Sequence, residues 1–517
     1  MFRARKKIHY LSLNLVEIPQ HLRNMKKVKD DFPLQRISVE KLEINMEVDL
    51  ERALELCGAG KYQVFHCALM VTTLGAAMLE MIGSSFILPA AACDLDIPDN
   101  LRGIITSIPN IGVIVTAPFW GRAADTFGRK PVLLFSTAVS GVIALVAAFM
   151  PSLLSFALCK FLGSLFLSCP SSLGFAYAGE LVPRMRRDLA VLICNALLML
   201  FASLCPIFAW GVLSYNWLAL GLRPWRVLTV VYAAPLLLVA LWLTQTKESP
   251  KFLMTKGNAT QALEVLRHIF AYNSRCAKNT YCVTSLKSDE DKPDEEKQSA
   301  LALLRPPHAK WVALTGFLMF GLFSLLNGLF LFAPNTINKM MTQGDQPATI
   351  CMLLKEPENQ TSNATCVDSI SSSTFQITVL TSVIYGVLVL LLSLSPLSKK
   401  ALLVGMYAVV GASSLVSAFT TNRIVAGISM SALQITALGI GPLCAYTVQL
   451  FPTSLRGTAV GAVMMFGRLG SVAGANAAGV FLAGSCIATF YGFAALLFFC
   501  AGLSFLLPRD QPPSKVG

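Results

Sequence analysis

Charge is scarce in this chain. Only 14% of its 517 residues are Asp, Glu, Lys or Arg, against 54% hydrophobic, and the mean hydropathy is +0.61. A soluble protein of this length has too little polar surface to wrap that much apolar side chain. A water-soluble globular fold is therefore excluded, and a polytopic helical membrane protein is expected. The 14 cysteines include no C-x-x-C pair, which removes the usual zinc and redox spacings. Most sit within apolar runs, where a thiol behaves as a small hydrophobe. No G-x-x-x-x-G-K-[ST] loop occurs, so an ATP-driven machine is not indicated; neither an enzyme nor a cofactor is expected. The formal charge of +13 raises nucleic acid as a partner. The cations, however, gather in short loops between apolar runs, which is a membrane-topology pattern.

Twelve such runs are present, each near the ~20 residues needed to cross a bilayer. They fall at about 64–91, 103–120, 131–150, 153–178, 189–213, 225–244, 311–334, 375–395, 401–420, 424–447, 457–482 and 486–507. Loops on the N-terminal side hold Arg122, Arg129 and Lys130; Arg184, Arg186 and Arg187; Lys399 and Lys400; and Arg456. The short loops opposite hold little more than Arg102, Arg223 and Arg423. Both termini are therefore expected in the cytoplasm. With no signal-peptide core after the basic N-terminal residues, the first apolar run is expected to act as an uncleaved signal.

The domain plan follows: a cytoplasmic tail over 1–62, a six-helix bundle over 63–245, and a cytoplasmic linker over 246–309. A second six-helix bundle covers 310–507, with an extracellular loop at 335–374, and a short cytoplasmic tail ends the chain at 508–517. Asp49 to Gln63 reads as a short amphipathic helix lying on the headgroups and ended by Gly58 and Gly60. In the linker, Ala259 to Ala271 has helical apolar spacing, and an acidic stretch from Ser288 to Lys297 is expected to be disordered. The extracellular loop carries sequons at Asn359 and Asn363, expected to be glycosylated, and the pair Cys351 and Cys366, expected to form a disulfide on an oxidising side.

An internal repeat supports two related halves. GELVPRMRR follows the fourth run and VQLFPTSLRG the tenth, so that Glu180, Leu181, Pro183 and Arg187 align with Gln449, Leu450, Pro452 and Arg456 at one offset, 449 − 180 = 269. Repeats of this kind imply bundles related by an axis along the membrane normal.

The stretch Gly121 to Lys130, GRAADTFGRK, reads as a tight polar turn with Asp125 able to pair with Arg122 or Arg129. Its G-x-x-x-D-x-x-G-R-K pattern, the GELVPRMRR and QLFPTSLRG turns and KESPKFL (Lys247 to Leu253) together resemble the major facilitator superfamily. ALELCGAGKYQ, PWRVL (Pro224 to Leu228) and FGRLGSVAG (Phe466 to Gly474) bring the likeness to the branch of synaptic vesicle glycoprotein two and the organic ion transporters. The second-half counterpart of the first motif, SLSPLSKK, lacks the Asp and both glycines. The resemblance implies an all-α fold of twelve transmembrane helices in two pseudo-symmetric bundles. It also implies that Asp125, Arg129, Lys130, Glu180, Arg187, Glu248 and Arg456 form a cytoplasmic gate between the bundles.

Three formal charges fall well inside the apolar runs: Glu80, Lys160 and Arg468. Each would cost about 2.5–3.5 kcal/mol at mid-bilayer, so none should face lipid. The resemblance puts all three on helices bordering a central cavity. Two readings of Glu80 stand side by side: a titrating proton carrier, or the partner of Lys160 in a fixed pair that locks helix packing. Arg468 either contacts an anionic solute or pairs with Glu80 or backbone carbonyls. Asn110, Asn195, Asn327, Gln434 and Asn476 either line the cavity or bond between helices.

The function expected is secondary transport of a small organic solute, anionic or zwitterionic, by alternating access, with a proton or another coupling ion. The alternatives are an organic cation carrier using Glu80, or a non-transporting receptor or scaffold with a transporter fold. The expected location is the bilayer of the plasma membrane or of an intracellular vesicle.

Overall fold

A computed structural model describes residues 46–215, 217, 221–287, 303, 305, 306, 308–342, 349–355, 370–393, 395, 397–451 and 455–508. Twelve helical segments are long and apolar enough to cross a membrane. They are Lys61–Ala90, Leu101–Phe127, Arg129–Ala147, Leu153–Glu180, Arg184–Leu213, Pro224–Leu243, His308–Thr342, Ser372–Leu392, Lys399–Phe419, Arg423–Leu450, Gly457–Leu482 and Cys486–Ser504, here spans 1 to 12. Each coincides with one of the runs read from hydropathy.

Two spans outrun their expected ends. Span 2 continues to Phe127, so the turn expected over Gly121–Lys130 shrinks to Gly128, whose φ of +109° only glycine adopts readily. Gly121 is helical and faces open space. Span 7 continues through Pro334 to Thr342, well into the expected loop. Pro334 is tolerated because neighbouring helices support the segment.

Four spans depart from regular α-helix part-way along their length. Span 1 divides at Gly83, span 5 at Ala202–Ser203 and span 7 at Gly328, while span 10 passes through a 3₁₀ stretch, Leu433–Gly439. Such departures interrupt the regular helical pattern locally.

The seam between the halves closes on the side away from Lys61 and Ser504. Within the second half, span 11 packs on span 7 where Gly470 and Gly474 meet the backbone of Phe320 and Ser324. It lies against span 2 at Gly479, where a Cβ on Gly103 would stand 2.6 Å from the Ala475 carbonyl. Only glycine allows that approach. Phe86 of span 1 stacks on Phe375 of span 8, ring centroids 6.4 Å apart.

The short helix Leu50–Cys57 does not lie on a membrane surface. Its apolar face (Ala53, Leu54, Cys57) is buried against Ala262, Leu266 and Ile269 of the linker helix Ala259–Ser274. A two-stranded parallel sheet pairs Met46–Val48 with Val283–Leu286 beside it. The amphipathic pattern was legible, but a protein surface buries it.

The expected disulfide is corrected. Cys351 joins Cys486 at the start of span 12, not Cys366. The helix Ile350–Lys355 packs against spans 7, 9, 11 and 12, which carries Cys351 to that partner. Cys93, between spans 1 and 2, is disulfide-bonded as well. Cys366, Asn359, Asn363 and the acidic stretch 288–297 lie outside the described residues.

Candidate transport cavity and gate

The network expected to latch the halves assembles within the first half and the tail and linker segments that flank it, among the described residues. Arg129 opens span 3, where its side chain meets Asp125 at 2.9 Å and Glu180 at 3.3 Å, donates to the Ala124 carbonyl at 3.1 Å and stacks over Phe252. Of the two partners open to Asp125 in the sequence, Arg129 is the one found. Asp125 stays exposed, whereas Glu180 is half-buried and keeps one carboxylate oxygen unpartnered.

Spans 3 and 6 cap each other. The Glu248 carboxylate accepts the backbone N–H groups of Arg129 (3.1 Å), Lys130 (3.2 Å) and Ser249 (2.8 Å), placing an anion at the helix N-terminus. In return, Lys130 Nζ donates to the carbonyls of Thr244 and Thr246, just past span 6, at 2.9 and 2.6 Å. Burial pushes the Glu248 carboxyl above its ordinary range, against the pull of those N–H groups and of Arg129. Arg187 caps span 4 through the Gly179 carbonyl at 2.8 Å and pairs with Glu51 of the short N-terminal helix at 2.8 Å. Arg456 begins the helix leading into span 11, but its side chain lies outside the described residues.

Of the three charges inside the spans, the structure brings two together. Glu80 and Lys160 form an ion pair between spans 1 and 4, with the residues 7% and 5% exposed. Lys160 also lies 5.5 Å from the Phe156 ring centre, and the second Glu80 oxygen has no partner. Neither residue lines the cavity described below. The expectation that all three charges border a central cavity is corrected: the cavity described below is lined by neither member of this pair nor by Arg468. Helix rotation turns both into the packed first half, which no hydropathy pattern reports.

Arg468 stands apart from them. It is half-buried on span 11, its guanidinium 3.4 Å from Asn110 Oδ1 of span 2 and over the Phe323 ring of span 7 at 5.4 Å. Among the described residues it has no ion pair with a carboxylate. Two other polar neutrals bond across the helices: Asn476 donates to Ser107 at 3.2 Å and Asn327 to Ser471 at 2.9 Å.

A cavity of ≈ 40 Å³ lies between the halves at the level of the four helix breaks. Ser85, Cys205, Phe330 and Gln434 reach it, one from each broken span, and Thr378 and Ser382 reach it from span 8. No charged residue lines it. Gln434 is 7% exposed and its Oε1 has no hydrogen-bond partner.

Two clusters escaped sequence reasoning. On the face away from Lys61 and Ser504, Asp94 accepts from Trp225 at 3.0 Å and pairs with Arg223 at 3.3 Å and Arg226 at 3.6 Å. Near the other face, buried His66 meets the Tyr177 carbonyl at 3.1 Å and leaves its other ring nitrogen unpartnered. PWRVL was visible as a motif; Asp94, 131 residues away in sequence, carried no signal.

Twelve spans in two six-span halves, closed against each other where span 2 meets span 11 and span 1 meets span 8, define a polytopic α-helical membrane protein of the two-bundle kind. A sequence profile of the Major Facilitator Superfamily matches residues 69–341, over half the chain, and the chain belongs to that family. It is 30% identical over 231 residues to synaptic vesicle glycoprotein 2C of Rattus norvegicus, an alignment covering 44% of this chain and 32% of that protein. Synaptic vesicle glycoprotein 2A of Homo sapiens is 27% identical over 247 residues, covering 46% and 33%. The chain thus aligns with about a third of the length of these relatives. Among solved structures, the xylose transporter XylE from E. coli, in a partially occluded inward open conformation, superposes with a TM-score of 0.64 at 19% identity, over 88% of this chain and 100% of that one. A D-xylose-proton symporter gives 0.61 at 16% identity, over 86% and 98%. At these identities the structural likeness shows the fold alone.

Proposed function

We propose that this chain is a secondary transporter that carries a small organic solute, anionic or zwitterionic, by alternating access. One observation carries the reading. Arg468 is a cation on the seam between the halves, held by an amide oxygen and an aromatic ring and without a carboxylate beside it among the described residues. A guanidinium in such a setting is costly unless a counter-charge arrives. A carboxylate, sulfate or phosphate supplies that charge through paired hydrogen bonds. The breaks in spans 1, 5, 7 and 10 supply hinges for the halves to rock, and a proton or other ion gradient supplies the drive.

The proposed orientation keeps both termini in the cytoplasm. Chemistry adds to the charge argument: the Cys351–Cys486 disulfide and bonded Cys93 lie on the face away from Lys61 and Ser504. Exposed Cys276 and Cys282 of the linker are free thiols. Disulfides on one face and thiols on the other suit a membrane whose terminal side is reducing. The cation-carrier alternative loses its counter-charge, because Lys160 neutralises Glu80 away from the cavity.

The test is uptake into proteoliposomes holding the full chain, with labelled organic anions and cations and with or without a proton gradient. Anion uptake is expected, and Arg468→Ala should abolish it. Anion uptake indifferent to Arg468→Ala overturns the assignment of that residue. Cation uptake alone overturns the solute class, and no uptake at all points to a receptor or scaffold.

A further inference from the structure

We infer that the solute is amphipathic, with an apolar end carrying a single hydrogen-bond donor that Gln434 reads in a subsite between the broken spans. The inference rests on the transport reading above and names the part of the solute that Arg468 does not recognise.

Size comes first. A cavity of ≈ 40 Å³ holds about three waters, at roughly 10–15 Å³ each, so it accepts one end of a solute and not the whole. Its walls are mainly carbon, from Met78, Phe86, Leu326 and Phe330 among others, and no charged side chain reaches it. An ionised group entering there would lose its hydration and meet a few hydroxyls and one amide but no opposite charge, so the end that enters is neutral.

Gln434 sets the polarity of that end. Its Oε1 is buried with no partner, whereas Asn110, Asn327 and Asn476 all have theirs. A buried carbonyl oxygen left unbonded is a standing cost that an entering N–H or O–H removes. The residue sits on the 3₁₀ stretch of span 10, so its side chain is carried by a segment that departs from regular helix.

The two ends are linked along span 7. Phe323 lies under the Arg468 guanidinium, and Leu326, one turn further, lines the cavity. A solute with its anionic group at Arg468 and its apolar body running along this face of span 7 brings its far end to Gln434. The chemical class is an aryl or alkyl acid with one distal hydroxyl or N–H.

Binding to the purified full chain tests this with three probes, followed by thermal-shift titration. 4-Hydroxyphenylacetate has the anion and the donor, phenylacetate only the anion, and 4-hydroxybenzyl alcohol the phenolic donor with a neutral hydroxyl in place of the anion. The wild type is expected to bind the first about three- to tenfold more tightly than the second, the range of one neutral hydrogen bond. Gln434→Leu should erase that preference while leaving phenylacetate binding as it was. It should also unfold no earlier than the wild type without ligand, since it removes an unbonded amide oxygen. Arg468→Ala should abolish binding of both acids and spare the alcohol. A preference that survives Gln434→Leu, or no binding of any probe, overturns the subsite. Acids that bind Arg468→Ala as they bind the wild type overturn the anion reading instead, and the alcohol then reports on the subsite alone.

Discussion

Replacing Glu80 by Gln should destabilise the protein far more than an isosteric change normally does. The carboxylate is 7% exposed and its partner Lys160 is 5% exposed, so the ammonium left behind has no water to fall back on. Removing one member of a buried pair costs about 3–5 kcal/mol, most of it the uncompensated charge. The Phe156 face near Lys160 returns some of this, on the order of 0.5–2 kcal/mol, which places the expectation at the lower end. Lys160→Met alone should cost a similar amount, because it strands the carboxylate. The double variant, Glu80→Gln with Lys160→Met, strands nothing and should lie within about 1 kcal/mol of the wild type. The assay is a double-mutant cycle of unfolding on the purified full chain, read beside proton-gradient dependence of uptake. Single and double variants that add without coupling would refute a structural pair. Wild-type stability of Glu80→Gln with loss of proton dependence would make Glu80 the proton carrier instead.

Three further outcomes are expected. Gly103→Val puts a side chain against the Ala475 carbonyl, 2.6 Å from the first carbon, so the seam away from Lys61 and Ser504 cannot close. Thiol reagents applied from that side should then label a Ser107→Cys probe faster in the Gly103→Val background, and equal labelling would sink the idea. Cys486→Ser should free Cys351 to thiol reagents and cost about 2–4 kcal/mol of stability, whereas an unlabelled Cys351 would mean that it has another partner. The raised Glu248 carboxyl gives a pH signature. The folded protein holds that proton where the unfolded chain has released it, so this contribution is complete below the ordinary value of 4.5 and is lost as pH rises through the folded value. Glu248→Gln should remove that slope of melting temperature just above pH 4.5, and an unaltered slope would assign it elsewhere.

What was legible in the chain follows from the range of each interaction. Hydropathy is a property of consecutive residues, and all twelve spans were readable because a bilayer crossing needs one continuous apolar run. Gly128 was readable as a turn because a left-handed backbone favours one residue type. The limits of spans 2 and 7 were less so: polar residues such as Arg122 and Asp125 stay helical when they project beyond the apolar slab, and Pro334 is tolerated under tertiary support. The amphipathic face of Leu50–Cys57 was visible, but whether lipid or the linker helix covers it is a question about a partner 209 residues away, as the Cys57 thiol donating to the Leu266 carbonyl attests.

The membrane class, the span count, the halves and the residues worth watching were thus settled by composition and local pattern, since the solvent acts on each segment separately. Which charges meet was not. Glu80 with Lys160, Arg468 with Asn110, Cys351 with Cys486 and the unpartnered oxygen of Gln434 all depend on how helices rotate and how closely glycines let them approach. Those are contacts between residues far apart in the chain, and only packing in three dimensions chooses among them.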